Sequence, residues 1–227
     1  LSMVDASVGG KTGIDLGSLK NQIGVINQPV MVLVVPDFLD TLDNRQVRSG
    51  FAEMLKHGLI QNTAYWEALK DAESLEDMKN HILTSIQIKN KVVLQDPTEQ
   101  HIRKILNYGH TLGHAIESYF LENESKEMLL HGEAIAIGMI LEAYLSNKLL
   151  GLTNESLEDI KTTFLNRYDK VEFLNDDIDN ILKLMKYDKK NSHGKVNFVL
   201  LKSIGEPEFD VEIPVDLFSE AFAYYKV

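Results

Sequence analysis

Apolar residues recur at helical spacing from Asp37 almost to the C-terminus. The stretch PDFLDTLDNRQVRSGFAEMLKHGLI shows the pattern, with apolar positions returning every three or four residues. This period places the apolar side chains on one face of each helix, where they pack against neighbouring helices. The sequence therefore predicts a mainly α-helical fold, with helices near residues 37–42, 44–61, 63–70, 74–95, 101–121, 130–150, 154–166, 177–187 and 214–225.

Residues 1–36 differ from the rest, because they are rich in glycine and β-branched residues. SVGGKTGIDLG predicts a loop, NQIGVINQP predicts an extended segment that ends at Pro29, and VMVLVVP predicts a buried strand at 30–35. Near the other end of the chain, KVNFVLLKSIGEP predicts a short hairpin or an edge strand. The predicted architecture is a helical domain preceded by the tail of an α/β domain.

Composition excludes several classes of function. A chain of 227 residues with 44% hydrophobic residues can bury a sizeable core. It has no cysteine, so a bound metal would need nitrogen and oxygen ligands, and a reducing cytoplasm is the expected compartment. The formal charge of −11 disfavours binding to nucleic acid and to anionic membranes. No apolar run reaches the roughly 18 residues that a membrane span needs.

The helix predicted at 44–61 carries three ionisable residues near one face. Glu53 lies three residues before Lys56 and four before His57. Such a charged face is commonly solvated, but the neighbours of Glu53 in GFAEMLKHG are apolar. A carboxylate in apolar surroundings needs a partner, so we expect Glu53 to be paired.

The segment LNYGHTLGHAIE carries two histidines, each directly after a glycine. Asn107, His110 and His114 follow one another at spacings of three and four, which places them on one face of the helix predicted there. Glycine in a helix interior costs about 1 kcal/mol relative to alanine, so two glycines indicate close approach of a neighbouring helix or a ligand. Spacing leaves open whether both histidines chelate one metal or only pack against a helix.

A third histidine, His131, begins the most apolar helix of the chain, in LLHGEAIAIGM. Glu53, His110 and His131 would offer one carboxylate and two imidazoles from three helices, which suits a divalent ion with an open position. Cations near these motifs indicate an anionic substrate, because arginine and lysine bind carboxylate and phosphate. These cations are Lys11, Lys20, Lys56, Lys89 and Arg103.

Together, these motifs resemble the 3-dehydroquinate synthase family of the shikimate pathway. The resemblance rests, in order along the chain, on MVDASVGGKTGID, KNQIGVINQP, GFAEMLKHG, ILNYGHTLGHAIE and LLHGEAIAIGM. It implies a helical metal- and substrate-binding domain over 37–227, preceded at 1–36 by the last strands of an α/β NAD-binding domain. Because the chain opens within a motif and with Leu1, we expect it to be a fragment without the rest of that domain.

The resemblance also implies a role for individual residues. The implied ligands of one Zn²⁺ or Co²⁺ ion are Glu53, His110 and His131. The implied catalytic residues are His114, Lys56 and Asn107. The implied substrate-binding residues are Asn21, Lys89, Arg103 and either Lys189 or Lys190. The implied NAD⁺-binding residues are Asp5, Lys11, Lys20, Phe38, Leu39, Asp40 and Thr41.

The implied reaction converts 3-deoxy-D-arabino-heptulosonate 7-phosphate to 3-dehydroquinate and phosphate, by NAD-dependent oxidation, phosphate elimination, reduction and aldol closure. The implied partners are this anionic sugar phosphate and a second copy of the chain in a homodimer. Two related activities stay open, a sugar phosphate cyclase of the 2-deoxy-scyllo-inosose synthase type and a metal-dependent polyol dehydrogenase. Lys89 and Arg103 favour the carboxylated substrate. An isolated fragment is expected to turn over poorly.

Overall fold

The computed structural model describes residues 2–16, 19–188 and 196–227. The α-helices of this part are α1 (Asn44–Gln61), α2 (Thr63–Lys70), α3 (Leu75–Gln95), α4 (His110–Glu122), α5 (His131–Leu150), α6 (Asn154–Leu165), α7 (Asn175–Asp188) and α8 (Asp216–Lys226). Short 3-10 helices span Ser2–Val4, Pro36–Thr41 and Ile102–Asn107. Two antiparallel hairpins pair β1 (Lys11–Leu16) with β2 (Leu19–Ile26) and β3 (Asn197–Ser203) with β4 (Glu206–Glu212). The prediction of a mainly helical chain is confirmed.

Helix α5 lies at the centre of the core. It packs against α1, α4, α6, α8 and β3. Ile135, Leu141 and Leu145 are completely buried along its length. A helix that is apolar on all sides has no face suited to water, so the predicted burial of this helix is confirmed. Its N-terminal half contacts α1 and α4, the two helices that carry Glu53 and His110.

Glycines bring the backbones of α4 and α5 into contact. A Cβ atom on Gly138 would clash with the carbonyl oxygen of Gly109, and a Cβ atom on Gly113 would lie 2.6 Å from Cδ1 of Ile135. Because both helices lack a side chain where they meet, they approach more closely than larger residues would allow. The close approach expected from these glycines is therefore present.

The single helix predicted at 101–121 is interrupted, which corrects one argument from spacing. The 3-10 helix Ile102–Asn107 ends before Tyr108, and α4 begins at His110. Between them, Gly109 has a φ of 79°, in the left-handed region that a right-handed helix cannot include. Asn107 therefore does not share a helical face with His110, although both residues belong to the same motif.

Two predictions within residues 1–36 are wrong. Residues 11–16, expected as part of a loop, form strand β1, in which Lys11 pairs with Ile26 of β2. Residues 30–35, expected as a buried strand, form no strand, and Val30 and Met31 are exposed. An apolar run favours burial, but a strand also needs a neighbour that satisfies its backbone, and neither described hairpin pairs with this segment.

The hairpin predicted near the C-terminus is confirmed. The side chains from Phe198 to Leu201 on β3 are all buried against the helices. The backbone N–H of Leu201 donates to Oγ of Ser146 on α5 at 2.9 Å, and that of Gly205 donates to the Leu59 carbonyl of α1 at 2.8 Å. The hairpin is therefore hydrogen-bonded to both α1 and α5. Among the described residues, no helix is both long and apolar enough to cross a membrane.

The contact of α4 with α5 makes Gly138 intolerant of a side chain. We expect Gly138→Ala to lower the free energy of unfolding by about 3 kcal/mol, because the added methyl group overpacks a buried backbone contact. Gly151→Ala is the control, since its φ is 82° but nothing lies within 4 Å of an added Cβ; it should cost only about 1 kcal/mol. Denaturant unfolding followed by circular dichroism measures both values, and equal losses would contradict the close approach.

Candidate metal and substrate site

Three helices bring one carboxylate and two imidazoles together. Glu53 lies on α1, while His110 and His131 are the first residues of α4 and α5. Nε2 of His110 and Nε2 of His131 each lie 3.3 Å from Oε1 of Glu53. The carboxylate and the two ring nitrogens therefore converge on one point, and their role as metal ligands stays a prediction.

In both His110 and His131, the second ring nitrogen, Nδ1, lies close to an oxygen atom of the protein. Nδ1 of His110 lies 3.0 Å from the carbonyl oxygen of Tyr108, and Nδ1 of His131 lies 3.1 Å from Oε2 of Glu117. A carbonyl oxygen only accepts, so in the neutral His110 ring Nδ1 carries the proton and Nε2 presents a lone pair. A carboxylate behind a metal-binding histidine orients the ring and raises its basicity. Glu117, which the sequence analysis did not single out, has this position behind His131.

Glu53 is ionised although it is buried. Burial opposes its charge, but attraction to Lys56 and His110 outweighs burial and holds the pKa of Glu53 well below its usual value. Burial and the charge of Lys56 lower the pKa of His110. For His131, burial is outweighed by hydrogen bonds to Glu117 and Glu53, which raise its pKa to about 9. The site is therefore a buried carboxylate surrounded by groups that stabilise its negative charge.

A third imidazole, that of His114, adjoins the first two. Its ring centroid lies 5.2 Å from that of His110 and 5.7 Å from that of His131. One ring nitrogen from each of the three histidines lies within 4.8 Å of the other two. The geometry thus offers two three-residue ligand sets, one that contains Glu53 and one that contains His114.

Either ligand set fits a divalent metal ion. Imidazole nitrogens and a carboxylate oxygen are the donors that Zn²⁺ and Co²⁺ take in proteins without thiolate ligands. The side chain of His131 is 42% exposed, so the cluster is open to a ligand from one side. The residues present therefore fit the metal that the resemblance implies, and the choice between the sets stays a prediction.

A second charged cluster adjoins the first through Lys56. Lys56 is completely buried, pairs with Glu53 and lies 3.7 Å from Oδ1 of Asp5. Nζ of Lys89 on α3 lies 2.7 Å from the same Asp5 oxygen. Burial opposes the charge of Asp5, but Lys56 and Lys89 together outweigh it and lower the Asp5 pKa to about 2. Asp5, predicted to contact NAD⁺, therefore lies between a lysine predicted to be catalytic, Lys56, and one predicted to bind substrate, Lys89.

His57 lies beside this second cluster and not in the first. It is completely buried, and neither ring nitrogen has a hydrogen-bond partner within the described part of the chain. Nε2 lies 3.9 Å from Oδ1 of Asp5, beyond hydrogen-bonding distance. Burial, together with the nearby charge of Lys56, lowers the pKa of His57 to about 3, so the ring is neutral.

Glu99 is a site residue that the sequence analysis missed. The amide of Asn107 donates to Oε1 of Glu99 at 2.6 Å, and Lys11 forms an ion pair with the same carboxylate. Glu99 has a φ of 59°, a left-handed conformation that is uncommon for residues other than glycine. Such backbone strain is concentrated at functional sites. No pattern in DPTEQHIR distinguishes this glutamate, because its partners come from separate parts of the chain.

Arg103 is buried and holds a glycine turn. Its guanidinium donates to the carbonyl oxygens of Gly9 at 2.9 Å and Pro97 at 2.7 Å. Burial, together with the positive charges of Arg103 and Lys89, lowers the pKa of Lys11 to about 8. These predicted cations are thus close enough in the fold to repel one another, and an anion among them would relieve the repulsion.

The remaining predicted residues are not brought to this cluster. On the 3-10 helix Pro36–Thr41, Phe38 is 77% exposed, Leu39 is buried and Thr41 is exposed. Asp40 pairs with Lys79, which lies about 15 Å along α3 from Lys89 at 1.5 Å per residue. The predicted residues that fall outside the described residues or side chains are Lys20, Asn21, Lys189 and Lys190.

Comparisons with known proteins identify the family. Residues 1–49 match the family model for the 3-dehydroquinate synthase N-terminal part, and residues 50–191 match the model for its C-terminal part. A 3-dehydroquinate synthase from Parabacteroides distasonis is 38% identical, over 100% of this chain and 65% of the relative. This chain belongs to the 3-dehydroquinate synthase family. The family prediction is confirmed, whereas the domain boundary predicted after residue 36 stays a prediction.

Other relatives are likewise longer than this chain. A 3-dehydroquinate synthase from Listeria welshimeri is 41% identical, over 89% of this chain and 56% of the relative. Among solved structures, a 2-epi-5-epi-valiolone synthase from Streptomyces hygroscopicus with NAD⁺ and Zn²⁺ bound has a TM-score of 0.83 at 24% identity, over 99% of this chain and 63% of that one. A 2-deoxy-scyllo-inosose synthase with carbaglucose-6-phosphate, NAD⁺ and Co²⁺ has a TM-score of 0.81 at 26% identity, over 96% of this chain and 63% of that one. The predicted fold class is confirmed.

Single substitutions separate the two ligand sets. We expect Glu53→Ala to abolish the binding of one Zn²⁺ ion per chain, because it removes a donor from the set of Glu53, His110 and His131. His131→Ala, which removes a donor from both sets, should abolish it as well. His114→Ala is the matched variant and should still bind one ion. Competition with a coloured chelator, combined with metal analysis, measures all three. Loss of the ion in His114→Ala with retention in Glu53→Ala would show that the three histidines are the ligands.

Proposed function

We propose that this chain is the metal- and substrate-binding part of a 3-dehydroquinate synthase. The activity is the conversion of 3-deoxy-D-arabino-heptulosonate 7-phosphate to 3-dehydroquinate and phosphate, without net change in oxidation state. The observation that carries the proposal is the convergence of Glu53, His110 and His131 on one point, beside buried cations, in a chain of this family. The proposed domains are the helical domain at 37–227 and the tail of an NAD-binding domain at 1–36.

The proposed cofactors are NAD⁺ and one divalent ion, Zn²⁺ or Co²⁺. When bound, the ion supplies Lewis-acid stabilisation of negative charge on a substrate oxygen, and NAD⁺ supplies reversible hydride transfer. The structural relatives named above were solved with NAD⁺ and either Zn²⁺ or Co²⁺, which supports this choice. Glu53, His110 and His131 would hold the ion, and Asp5 and Lys11 would lie on the side of the nicotinamide.

The buried cations orient the substrate. In our proposal Lys89 and Arg103 bind its anionic groups, a carboxylate at one end and a phosphate at the other. Both side chains are already fixed, Lys89 by Asp5 and Arg103 by the carbonyls of Gly9 and Pro97. A prearranged cation loses little conformational entropy when the anion binds. These contacts therefore orient the substrate at little entropic cost.

The residues around Glu53 would manage protons and charge. His114 adjoins the rings of both His110 and His131, so we propose that it accepts the proton of the substrate hydroxyl. Lys56 keeps Glu53 ionised and connects it to Asp5. Asn107, held by Glu99, would donate its second amide hydrogen to a substrate oxygen.

Two related activities are the alternatives. A cyclase of the 2-deoxy-scyllo-inosose synthase type would act on a sugar phosphate without a carboxylate, so it would need fewer cations than this site gathers. A metal-dependent polyol dehydrogenase would release NADH as a product.

We also propose a homodimer, as the resemblance implies. The β1–β2 hairpin offers surface for association, because its apolar residues Ile14, Ile23 and Val25 are exposed.

Product analysis tests the activity. With Zn²⁺, NAD⁺ and 3-deoxy-D-arabino-heptulosonate 7-phosphate, we expect phosphate to be released without accumulation of NADH. The rate should lie well below that of the Parabacteroides distasonis relative, because this chain spans 65% of its length. Phosphate is measured colorimetrically and NADH by absorbance. Stoichiometric NADH would indicate a dehydrogenase, and turnover of glucose 6-phosphate instead would indicate the cyclase.

Substrate binding is a second, more direct measurement. Lys89→Met should weaken the binding of the heptulosonate phosphate to the Zn²⁺-loaded chain by about 10- to 100-fold, because it removes a charged hydrogen-bond donor from a buried site. Lys91→Met is the control, since Lys91 is an exposed lysine on the same helix. Isothermal titration calorimetry measures both affinities. Equal affinities for the two variants would remove Lys89 from the proposed substrate site.

A further inference from the structure

Glu142 is a completely buried carboxylate in the middle of α5. Its Oε2 accepts the backbone N–H of Gly109 at 2.7 Å, and its Oε1 accepts that of Leu112 at 3.4 Å. Gly109 is the N-cap residue of α4 and Leu112 lies in its first turn; the helix itself begins with His110. The side chain of one helix therefore caps the N-terminus of another, beside a proposed metal ligand.

The contact between the helices explains why the cap comes from α5. An N-cap residue usually accepts a helix N–H with its own side chain. Gly109 has no side chain to do so, and a Cβ atom there would clash with Met139 and lie 3.1 Å from the Ile135 carbonyl oxygen. Buried N–H groups without an acceptor are costly, so the neighbouring helix must supply one.

A neutral acceptor would satisfy these N–H groups, whereas an ionised Glu142 also places a negative charge there. The N-terminus of a helix carries a partial positive charge of about half an elementary charge. At the start of α4 this charge lies beside His110, where it would repel a bound divalent cation. A buried carboxylate on the same N–H groups opposes that repulsion, and the effect is larger in the protein interior than in water.

We propose that Glu142 is a positioning residue for the metal site, which fixes the first turn of α4 and cancels the positive end of that helix where His110 would hold a cation. The inference rests on the proposed function, because it takes His110 as a ligand. Glu142 acts through α4 and has no role as a ligand.

Removing the charge while keeping the shape tests the inference. Glu142→Gln keeps one oxygen acceptor, enough for the Gly109 N–H, but loses the charge and the weaker contact to Leu112, so Zn²⁺ affinity should fall by about tenfold. Glu142→Asp keeps the charge and should bind within about threefold of the unchanged chain. The visible absorption of bound Co²⁺ should be the same in both variants, because the ligands are unchanged. Glu155→Gln, an exposed glutamate in the first turn of α6, is the control and should bind as the unchanged chain does.

The outcomes distinguish this inference from the metal site itself. Circular dichroism establishes that each variant is folded before its affinity is compared. If Glu53→Ala and His131→Ala keep their ion, the proposed metal site is wrong. If they lose it and folded Glu142→Gln binds Zn²⁺ like the unchanged chain, only the role of Glu142 is wrong. Should Glu142→Gln not fold, a tenfold loss in folded Glu142→Asp would overturn the charge argument.

Discussion

The backbone contact between α4 and α5 determines the geometry of the candidate site. Gly138 leaves room for the carbonyl of Gly109, and Gly113 leaves room for Ile135. With the two helices this close, their first residues, His110 and His131, lie beside each other, and Glu53 completes the cluster from α1. The same close approach leaves no room for a side chain at Gly109, so the N-cap residue of α4 cannot cap its own helix. One packing constraint therefore accounts for both the convergence of the imidazoles and the need for a buried carboxylate in α5.

Burial of charge in this chain is compensated within each cluster. Glu53 is stabilised by Lys56 and two imidazoles, and Asp5 by Lys56 and Lys89. An isolated buried charge would cost several kcal/mol, whereas a paired one returns part of that cost as attraction. Lys56 belongs to both clusters, so its ammonium group links the proposed metal position to the proposed anion position. A change of charge at either position is consequently felt at the other.

The sequence predicts features that depend on local pattern better than features that depend on tertiary contacts. Helical periodicity predicted α1 and α5 closely, and the apolar neighbours of Glu53 correctly indicated a buried, paired carboxylate. Spacing placed Asn107 wrongly, because the left-handed Gly109 interrupts the helix and only the packing against α5 requires that conformation. The apolar run at 30–35 predicts a buried strand, but strand pairing is a tertiary property. No sequence pattern indicates Glu99, Glu117 or Glu142 for the same reason, since each has a partner in another segment of the chain: Lys11, His131 and Gly109 respectively.

The electrostatics of Glu53 bear on either choice of metal ligands. Its Oε1 lies 3.3 Å from Nε2 of both His110 and His131, so a cation held by those two nitrogens would adjoin the carboxylate even if His114 were the third ligand. Three neutral imidazoles do not neutralise a divalent charge, whereas an ionised carboxylate offsets half of it. A buried carboxylate that is otherwise stabilised by Lys56 and two imidazoles gains a stronger partner in such a cation. Charge balance therefore favours the set that contains Glu53, in agreement with the proposed role of His114 at the substrate.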